Sequence, residues 1–478
     1  MPKDEGRRFL VIVALAALST AAAATDLRLV DAARKADVTA LRALLKQGVD
    51  VSARQKDGTT ALHWAVYRDS LESADLLIRA GADVNAANDL GATPLWPAAL
   101  NGNTAMIQRL LQAGANPNAA LTLGETIVMT AARTGKAQIV EQLLAKGADP
   151  NAHAARGQTA LMWAVAQEHP DVVKVLLAHG ADVHARSDVW TELVKSDPDQ
   201  ASHPDYQMRV KQGGNTALMF AARVGDLASA KLLVAAGANV NDEAAYGFSA
   251  TVLAAHSNHG ELVEFLLDRG ADPNAAGAGY TALHAAILRR NEKAVAALLA
   301  HGANPNAPLL AATPTRRDSE DFFFHNTFVG ATPIWLAARF SQPNVMRLLA
   351  KHGADPLFVH HVEYPTGSYG TYSRVNEGAT TVLMAAVGMG GEINTGWAAP
   401  KPIEREALAL EAVKMAVESG VDVNAANANG DTALHGAAAH DFESVTEYLV
   451  EKGAKVDAKN KAGKTPLDTR PGRNRRPR

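Results

Sequence analysis

Histidines are the residues of this sequence that could most directly carry chemistry, since imidazole binds metal ions and transfers protons near neutral pH. His256 and His259 lie three residues apart, and the carboxylate of Glu261 follows them. The H-E-x-x-H pattern of a helical zinc site is not formed, and the chain has no cysteine that could supply a thiolate ligand. We therefore favour a structural role for both histidines and predict no metal site and no cofactor.

Three further histidines share one sequence context, because His63, His284 and His435 each end a T-A-L-H tetrapeptide. Other copies of this motif have a tryptophan or methionine at the same position: Trp96, Trp335, Met129, Met162, Met219 and Met384. A position that accepts methionine does not require proton transfer. We expect these three histidines to be structural.

The glycine-rich segments do not meet the requirements of nucleotide-binding loops. Segment 462–468 contains Gly-Lys-Thr, but Ala458 stands where a phosphate-binding loop has its first glycine. Segment 387–392, V-G-M-G-G-E, follows a helical pattern and not a strand, and no G-x-S-x-G motif occurs in the chain. We predict that the protein has no catalytic residues and is not an enzyme.

The spacing of these residues comes from a repeat of 33 residues. Threonine-led segments such as TALHWAV start at Thr60, Thr93, Thr126 and Thr159, each 33 residues after the one before. Further copies start at Thr216, Ser249, Thr281, Thr332, Thr381, Thr432 and Thr465. A glycine-led motif, GADVN or GADPN, keeps phase with them. A period of this length indicates stacked units of secondary structure.

Each unit reads as two helices and a turn. A threonine such as Thr60 can cap the first helix through its hydroxyl, and a proline such as Pro333 suits the first helical position. Ile139 and Val140 begin the apolar face of a second helix, which Gly147 ends in the left-handed conformation. One such unit cannot bury its apolar face alone, so the units must stack.

The two motifs resemble those of the ankyrin repeat family over residues 25–469. The resemblance implies a mainly α fold, an α-solenoid of about eleven stacked helix-turn-helix units joined by β-fingers. It also implies that the motif histidines hydrogen-bond the loops, and that the array binds proteins along the fingers and the concave face. The structural repeat positions are Thr60, His63, Thr93, Thr126, Thr159, Thr216, Thr281, His284, Thr332, Thr432 and His435.

Four intervals between threonines are longer than the period, at 57, 51, 49 and 51 residues. We expect insertions at 184–215, 307–331 and 357–380, all in the turns between units. A fourth, at 388–405, separates the two helices of one unit. These inserts hold eleven of the 25 aromatic residues of the chain. Exposing a phenylalanine loses about 2 kcal/mol of burial free energy. We therefore expect the rings of the inserts to have a specific role.

Two interpretations of the aromatic inserts remain open. The rings form either a local second core or a pocket or partner-binding surface, and a metal bound by His325, His360 and His361 is a third alternative. We expect Tyr364, Tyr369, Tyr372 and Phe328 to line an accessible groove, with His325 and His361 as polar contacts. The candidate binding residues are Phe322, Phe323, Phe324, His325, Phe328, His361, Tyr364, Tyr369 and Tyr372.

Both chain ends differ from the repeats. Residues 1–24 have a basic start, an apolar run at 9–18 and an A-x-A site formed by Ala22 and Ala24, which is the layout of a secretory signal peptide. The run is short for a membrane span, and a buried first helix is the alternative. Residues 470–478 contain five arginines, and we expect them to form a disordered basic tail.

The sequence therefore predicts an exported scaffold, periplasmic or secreted, that binds another protein as a monomer and is not stably inserted in a membrane. The net charge of −3 does not favour nucleic-acid binding. The alternative function is a receptor for a peptide or small ligand that uses the aromatic inserts. An enzyme is the third and most distant alternative.

Overall fold

The computed structural model describes residues 26–195, 207–313, 324–366, 373–390 and 402–471. The predicted signal peptide lies outside these residues, as does the predicted tail beyond its first two positions. The chain divides into two compact units, Met1–Ala119 and Ala120–Arg478.

The first unit contains three pairs of consecutive helices that pack on each other. They are α1 Arg28–Arg34 with α2 Val38–Lys46, α3 Ala61–Tyr67 with α4 Leu71–Arg79, and α5 Leu95–Asn101 with α6 Thr104–Gln112. In each pair the first helix has seven residues and the second has nine. This is the two-helix unit that the 33-residue period predicts.

The second unit contains eight further pairs. They are α7 Ile127–Arg133 with α8 Ala137–Leu144, α9 Ala160–Ala166 with α10 Pro170–Ala178, α11 Ala217–Val224 with α12 Leu227–Ala235, α13 Ala250–His256 with α14 Gly260–Asp268, α15 Ala282–Leu288 with α16 Glu292–Ala300, α17 Pro333–Arg339 with α18 Pro343–Lys351, α19 Val382–Ala386 with α20 Pro402–Glu418, and α21 Ala433–Ala439 with α22 Glu443–Glu451. The described residues thus form eleven helix pairs, which confirms the predicted mainly α solenoid.

The remaining elements are short. Two antiparallel hairpins, β1 Val189–Lys195 with β2 Gln207–Gly213 and β3 Val359–Thr366 with β4 Ser373–Thr381, follow α10 and α18. Single 3₁₀ turns lie at Ala155–Gly157, Asn326–Phe328 and Pro466–Thr469. Both hairpins extend from turns between helix pairs.

Threonine capping is confirmed at most of the first helices. The hydroxyls of Thr126, Thr159 and Thr281 each accept from the N–H three residues later, at 3.4 Å. Thr93, Thr216 and Thr332 do not cap in this way, and for them the prediction was wrong. At Thr93 and Thr216 the backbone carbonyl takes the N–H instead, at 2.9 and 3.1 Å, so the hydroxyl is not needed.

Side-chain bridges from asparagines join consecutive repeats. Asn274 Nδ2 donates to the carbonyl of Gly302 at 3.0 Å, and its Oδ1 accepts from the N–H of Asn304 at 2.7 Å. Each bridge therefore satisfies a carbonyl at the end of the next repeat's second helix, where the helix offers no partner. The same pair of bonds occurs at Asn85, Asn151, Asn241, Asn306 and Asn424.

The bridge is absent where the two hairpins begin. His184 and Leu357 occupy the asparagine position of their glycine-led motifs, and β1 and β3 start within five residues of them. Leu357 has no polar side-chain atom that could form the two hydrogen bonds of the bridge. Both hairpins therefore follow turns in which the sequence has replaced the bridging asparagine, although the replacement by Ser52 after α2 is not followed by a hairpin.

We expect Asn274→Ala to lower the free energy of unfolding by about 1–2 kcal/mol, because two backbone groups of the next repeat lose their partner. Urea unfolding followed by circular dichroism measures the change. Asn429→Ala is the matched control, since Asn429 is exposed and makes no side-chain hydrogen bond among the described residues. Its effect should stay below about 0.5 kcal/mol, and equal losses in the two variants would contradict the bridging role.

Candidate functional site

Described parts of the insert at 307–331 form a closed loop over the repeat helices. Thr313 and Phe324 exchange two hydrogen bonds, from Thr313 N–H to the Phe324 carbonyl at 3.0 Å and from Phe324 N–H to the Thr313 hydroxyl at 3.0 Å. Leu309 bonds Ala331 and Gly330 at 2.9 and 2.7 Å. The rings that follow are thereby held in fixed positions.

Phe328 is the centre of a buried aromatic cluster. Its ring is 1% exposed and lies 6.1 Å from Trp335, 5.7 Å from Phe340 and 6.5 Å from His325, centroid to centroid. Trp335 and Phe340 belong to α17 and its C-terminal end, so the insert packs on a repeat helix. Aromatic pairs at these distances add to the stabilisation from burial alone.

Phe324 joins a second group of rings on the neighbouring turns. It is fully buried, 5.3 Å from Tyr280 and 6.3 Å from His284. Tyr280 continues to Phe248 at 6.1 Å, and Phe248 to Tyr246 at 5.2 Å. Burial raises the pKa of Tyr280, whose hydroxyl bonds Thr313. The aromatic insert is thus continuous with the turns of the two preceding repeats.

His360 links the hairpin β3–β4 to this cluster. Its ring is 1% exposed, lies 4.5 Å from the Trp335 ring, and donates from Nε2 to the carbonyl of Val329 at 3.0 Å. Trp335 Nε1–H donates to the carbonyl of Thr380 at 3.2 Å. A Cβ on Gly390, which has φ +98°, would come within 2.5 Å of Trp335, so only glycine fits against the indole.

The predicted binding residues fall into three groups. Phe324 and Phe328 are buried, His325 is half-buried and accepts from Thr327 N–H at 3.2 Å, and His361 is exposed. The expected accessible position of Phe328 was wrong, because its ring is enclosed by Trp335 and Phe340. Tyr364 lies on β3, where the structure describes the backbone alone. Phe322, Phe323, Tyr369 and Tyr372 lie outside the described residues.

Sequence reasoning missed the partners that hold these rings. Trp335 lies in the threonine-led motif and Tyr280 directly precedes it, so the repeat pattern does not distinguish them from ordinary repeat residues. For His360 the sequence indicates only a possible metal ligand. One signal was present: Leu309 and His360 occupy equivalent positions after Gly302 and Gly353, and both are buried.

Exposed apolar residues lie next in sequence to residues that hold the buried cluster. Leu310 is 60% exposed, Leu357 55% and Val329 38%. Leu310 follows the loop-closing Leu309, Val329 provides the carbonyl that His360 binds, and Leu357 precedes β3. We call these three residues, with His361, the insert rim. Exposed apolar side chains on a rigid base are typical of protein-binding surfaces.

The motif histidines are structural, as expected. In His63 and His284, Nδ1 accepts from the N–H of the capping threonine at 3.2 Å. Nε2 donates to a loop carbonyl, of Ala92 at 2.9 Å and of Ala307 at 3.0 Å, and His435 makes the same contacts with Thr432 and Lys464. Both ring nitrogens are therefore committed to the backbone.

Burial lowers the pKa of His284 to about 4 and also lowers that of His63. Since both rings donate from one nitrogen and accept at the other, the neutral form is the one that the site accommodates. A histidine held neutral in this way cannot serve as a proton carrier near neutral pH.

His256 and His259 end α13 and precede α14. His259 Nε2 lies 3.2 Å from the carbonyl of Arg223, and His256 contacts the Tyr280 ring at 6.1 Å. Throughout the described part of the chain, no group of three or more histidines and acidic residues is arranged to hold a metal ion. Contacts of both histidines with neighbouring repeats are consistent with structural roles.

A polar cavity of about 450 Å³ opens between α16, α18 and α20. Its lining includes Arg347, whose guanidinium lies 2.6 Å from Glu411, and Asn344, which donates to Glu292 at 3.2 Å. Hydrogen bonding from Lys414, and then Arg347, lowers the pKa of Glu411. These polar groups already form hydrogen bonds and ion pairs with one another, so the cavity is a weaker candidate site than the insert rim.

Lowering the pH from about 6.5 to about 4 should destabilise the protein through His284. The unfolded chain binds a proton below the ordinary pKa of 6.5, whereas the folded ring resists it down to about 4. Stability is therefore highest above pH 6.5 and falls by about 2–4 kcal/mol across this range. His284→Met, the residue used in other repeats, should reduce the dependence, to which His63 and His360 also contribute, while lowering stability at pH 7.5 by about 1–2 kcal/mol.

Urea midpoints at pH 7.5, 6.0 and 5.0 measure this effect. The exposed His352→Gln serves as the control, and it should keep the pH slope of the parent protein. An unchanged slope in His284→Met would show that the acid sensitivity arises elsewhere.

No helix among the described residues is both long and apolar enough to cross a lipid bilayer. This observation covers 26–195, 207–313, 324–366, 373–390 and 402–471 and leaves the N-terminal apolar run outside it.

Sequence models of ankyrin repeats match most of the chain. The model described as Ankyrin repeats (3 copies) matches 29–121, 98–187, 191–277, 218–308 and 276–360, and the model described as Ankyrin repeats (many copies) matches 409–450. The matches cover more than half of the chain and include both units.

Three known proteins are similar over parts of the chain. Ankyrin repeat and SOCS box protein 16 of Homo sapiens is 32% identical over 217 residues, which are 44% of this chain and 44% of that protein. A Putative ankyrin repeat-containing protein of Treponema pallidum (strain Nichols) is 40% identical over 96 residues, 19% of this chain and 32% of that protein. Serine/threonine-protein kinase 12 of Arabidopsis thaliana is 39% identical over 58 residues, 12% and 13% respectively. The chain spans less than half the length of these relatives.

Proposed function

We propose a function from one premise: the chain belongs to the ankyrin repeat family. Ankyrin repeats bind other proteins and are in general not enzymes, and the protein is a scaffold of this kind. We propose further that it is exported and acts in the periplasm or outside the cell. The partner protein contacts the insert rim. The binding surface therefore lies on the inserts and not on the regular repeats.

The observation that supports the insert rim as the binding surface is the combination of exposed apolar side chains with a rigid base. Leu310 and Leu357 are more than half exposed, although burying either leucine would contribute about 1.5–3 kcal/mol. The backbone that carries Leu310 and Val329 is fixed by hydrogen bonds to Gly279, Ala331 and His360. A preorganised surface loses little conformational entropy on binding.

Candidate residues outside the described ranges extend the same proposal. Tyr369 and Tyr372 lie between β3 and β4 in sequence, and Phe322 and Phe323 directly precede Phe324. Tyrosine and phenylalanine are enriched among the residues that dominate binding energy in protein interfaces. These four residues remain predicted contacts.

Replacing two rim leucines should separate binding from folding. We expect Leu310→Glu with Leu357→Glu to weaken partner binding by about tenfold or more, since apolar anchors contribute more than about 1 kcal/mol each. The melting temperature should change little, because both side chains are exposed. The measurement is isothermal titration against a partner first captured by mature protein from the envelope fraction of the host.

Leu123→Glu is the matched control, because Leu123 is 73% exposed on the turn of a repeat without a hairpin. It should leave partner affinity unchanged. If the double variant binds like the parent protein, the partner uses another face of the array, and the rim is not the binding surface.

Export predicts that residues 1–24 are absent from the protein in its native host. N-terminal sequencing of the purified protein should give a start near Thr25, after the A-x-A site at Ala22 and Ala24. Recovery of an intact Met1 in the cytosolic fraction would contradict export while leaving the protein-binding proposal untouched.

A further inference from the structure

We propose that His360 is a proton-operated latch that holds the base of hairpin β3–β4, residues 359–361 and 379–381, on the aromatic cluster. Protonation of its ring releases the hairpin base and uncovers Trp335 and Phe328 as an additional apolar binding surface. The latch is inferred from the geometry of the site alone. Its use by a partner rests on the proposed function.

The buried ring is satisfied in one neutral form. Nε2–H donates to the Val329 carbonyl at 3.0 Å, which fixes the proton on Nε2 and leaves Nδ1 as an acceptor. Nδ1 is buried, and it has no hydrogen-bond partner among the described residues. A second proton would therefore add a buried N–H without an acceptor and a buried charge, and both are unfavourable.

The elements packed around the ring are β3, β4, the turn at Val329 and Gly330, and α17. On β3, the charge interaction with the neighbouring His361 opposes protonation of the His360 ring. On β4, the Thr380 hydroxyl donates to the backbone carbonyl of His360 at 3.2 Å and not to the ring. Val329 and Gly330 contribute backbone atoms, and α17 contributes the Trp335 indole.

No carboxylate among the described side chains offsets a positive charge on this ring. Burial accordingly lowers the pKa of His360, and the bond to Val329 offsets that effect in part. As the pH falls below the ordinary value of 6.5, the released form binds a proton that the latched form resists. The ratio of latched to released molecules then falls by up to about tenfold per pH unit.

Release of the ring would change what the site exposes. His360 covers the Trp335 ring at 4.5 Å, and its bond to Val329 connects β3 to the insert that carries Phe328. Trp335 and Phe328 are both fully buried while this contact is in place. Large aromatic surfaces of this type are the strongest anchors in protein interfaces.

The test is hydrogen exchange measured by mass spectrometry on the mature chain, 25–478, at pH 7.5 and 5.5, without any partner. Protection factors, corrected for the intrinsic exchange rate, should fall by about tenfold at pH 5.5 in peptides covering 326–335 and 373–381. Peptides covering 207–213 of β2 provide the internal reference and should change less. Binding of the apolar dye anilinonaphthalene sulfonate should rise over the same pH range.

His360→Gln is the decisive variant. A glutamine amide can still donate to the Val329 carbonyl, but it does not titrate, so protection and dye binding should no longer depend on pH. His361→Gln is the matched control, and it should retain the pH response. Acrylamide quenching of Trp335 fluorescence gives a second readout in the protein that retains His360. The Trp335 signal is obtained as the difference between this protein and Trp335→Phe. This readout keeps the test valid if His360→Gln fails to fold.

Three results would overturn the latch. They are an unchanged protection pattern between pH 7.5 and 5.5, an equal pH response in His360→Gln, and loss of protection without any gain in dye binding or quenching. None of these depends on a partner, so failure of the latch is distinguishable from failure of the rim as a protein-binding surface.

Discussion

The bridging asparagine is the interaction on which the rest of this structure depends. A two-helix unit of 33 residues leaves carbonyls unsatisfied at the end of its second helix and an apolar face uncovered. Packing of the next unit covers the apolar face. Asn274 and its equivalents satisfy the polar groups and tie consecutive units together, because one side chain accepts from and donates to the backbone of the following repeat at 2.7 and 3.0 Å.

Two of the four departures from the repeat follow turns where this bridge is missing. His184 and Leu357 replace the asparagine, and a β-hairpin follows each of them. The interval from Thr281 to Thr332 is also long, yet Asn306 keeps the bridge to Gly353, and that insert closes as a loop through Thr313 and Phe324. An insert that retains the bridge therefore folds back on the stack, whereas the two that lose it extend as paired strands.

Much of the fold could be predicted from the sequence because its determinants are local. The threonine caps, the left-handed glycines and the apolar faces lie within one 33-residue unit, and eleven units were expected and found. The positions of the insert rings could not be predicted, because Phe328 is buried by Trp335 and Phe340 and Phe324 by Tyr280. These partners belong to neighbouring turns and helices, so no local pattern records the contact.

The same distinction explains the two roles of histidine in this chain. His284 caps a helix three residues after a threonine, a spacing that the sequence shows directly, and its neutral form is built into the repeat. His360 is also buried and neutral, but its partners Val329 and Trp335 lie 31 and 25 positions away in the chain. Because His360 joins two inserts and not two helices of the stack, a proton there loosens one surface while Asn306 still bridges the repeats on either side of the first insert.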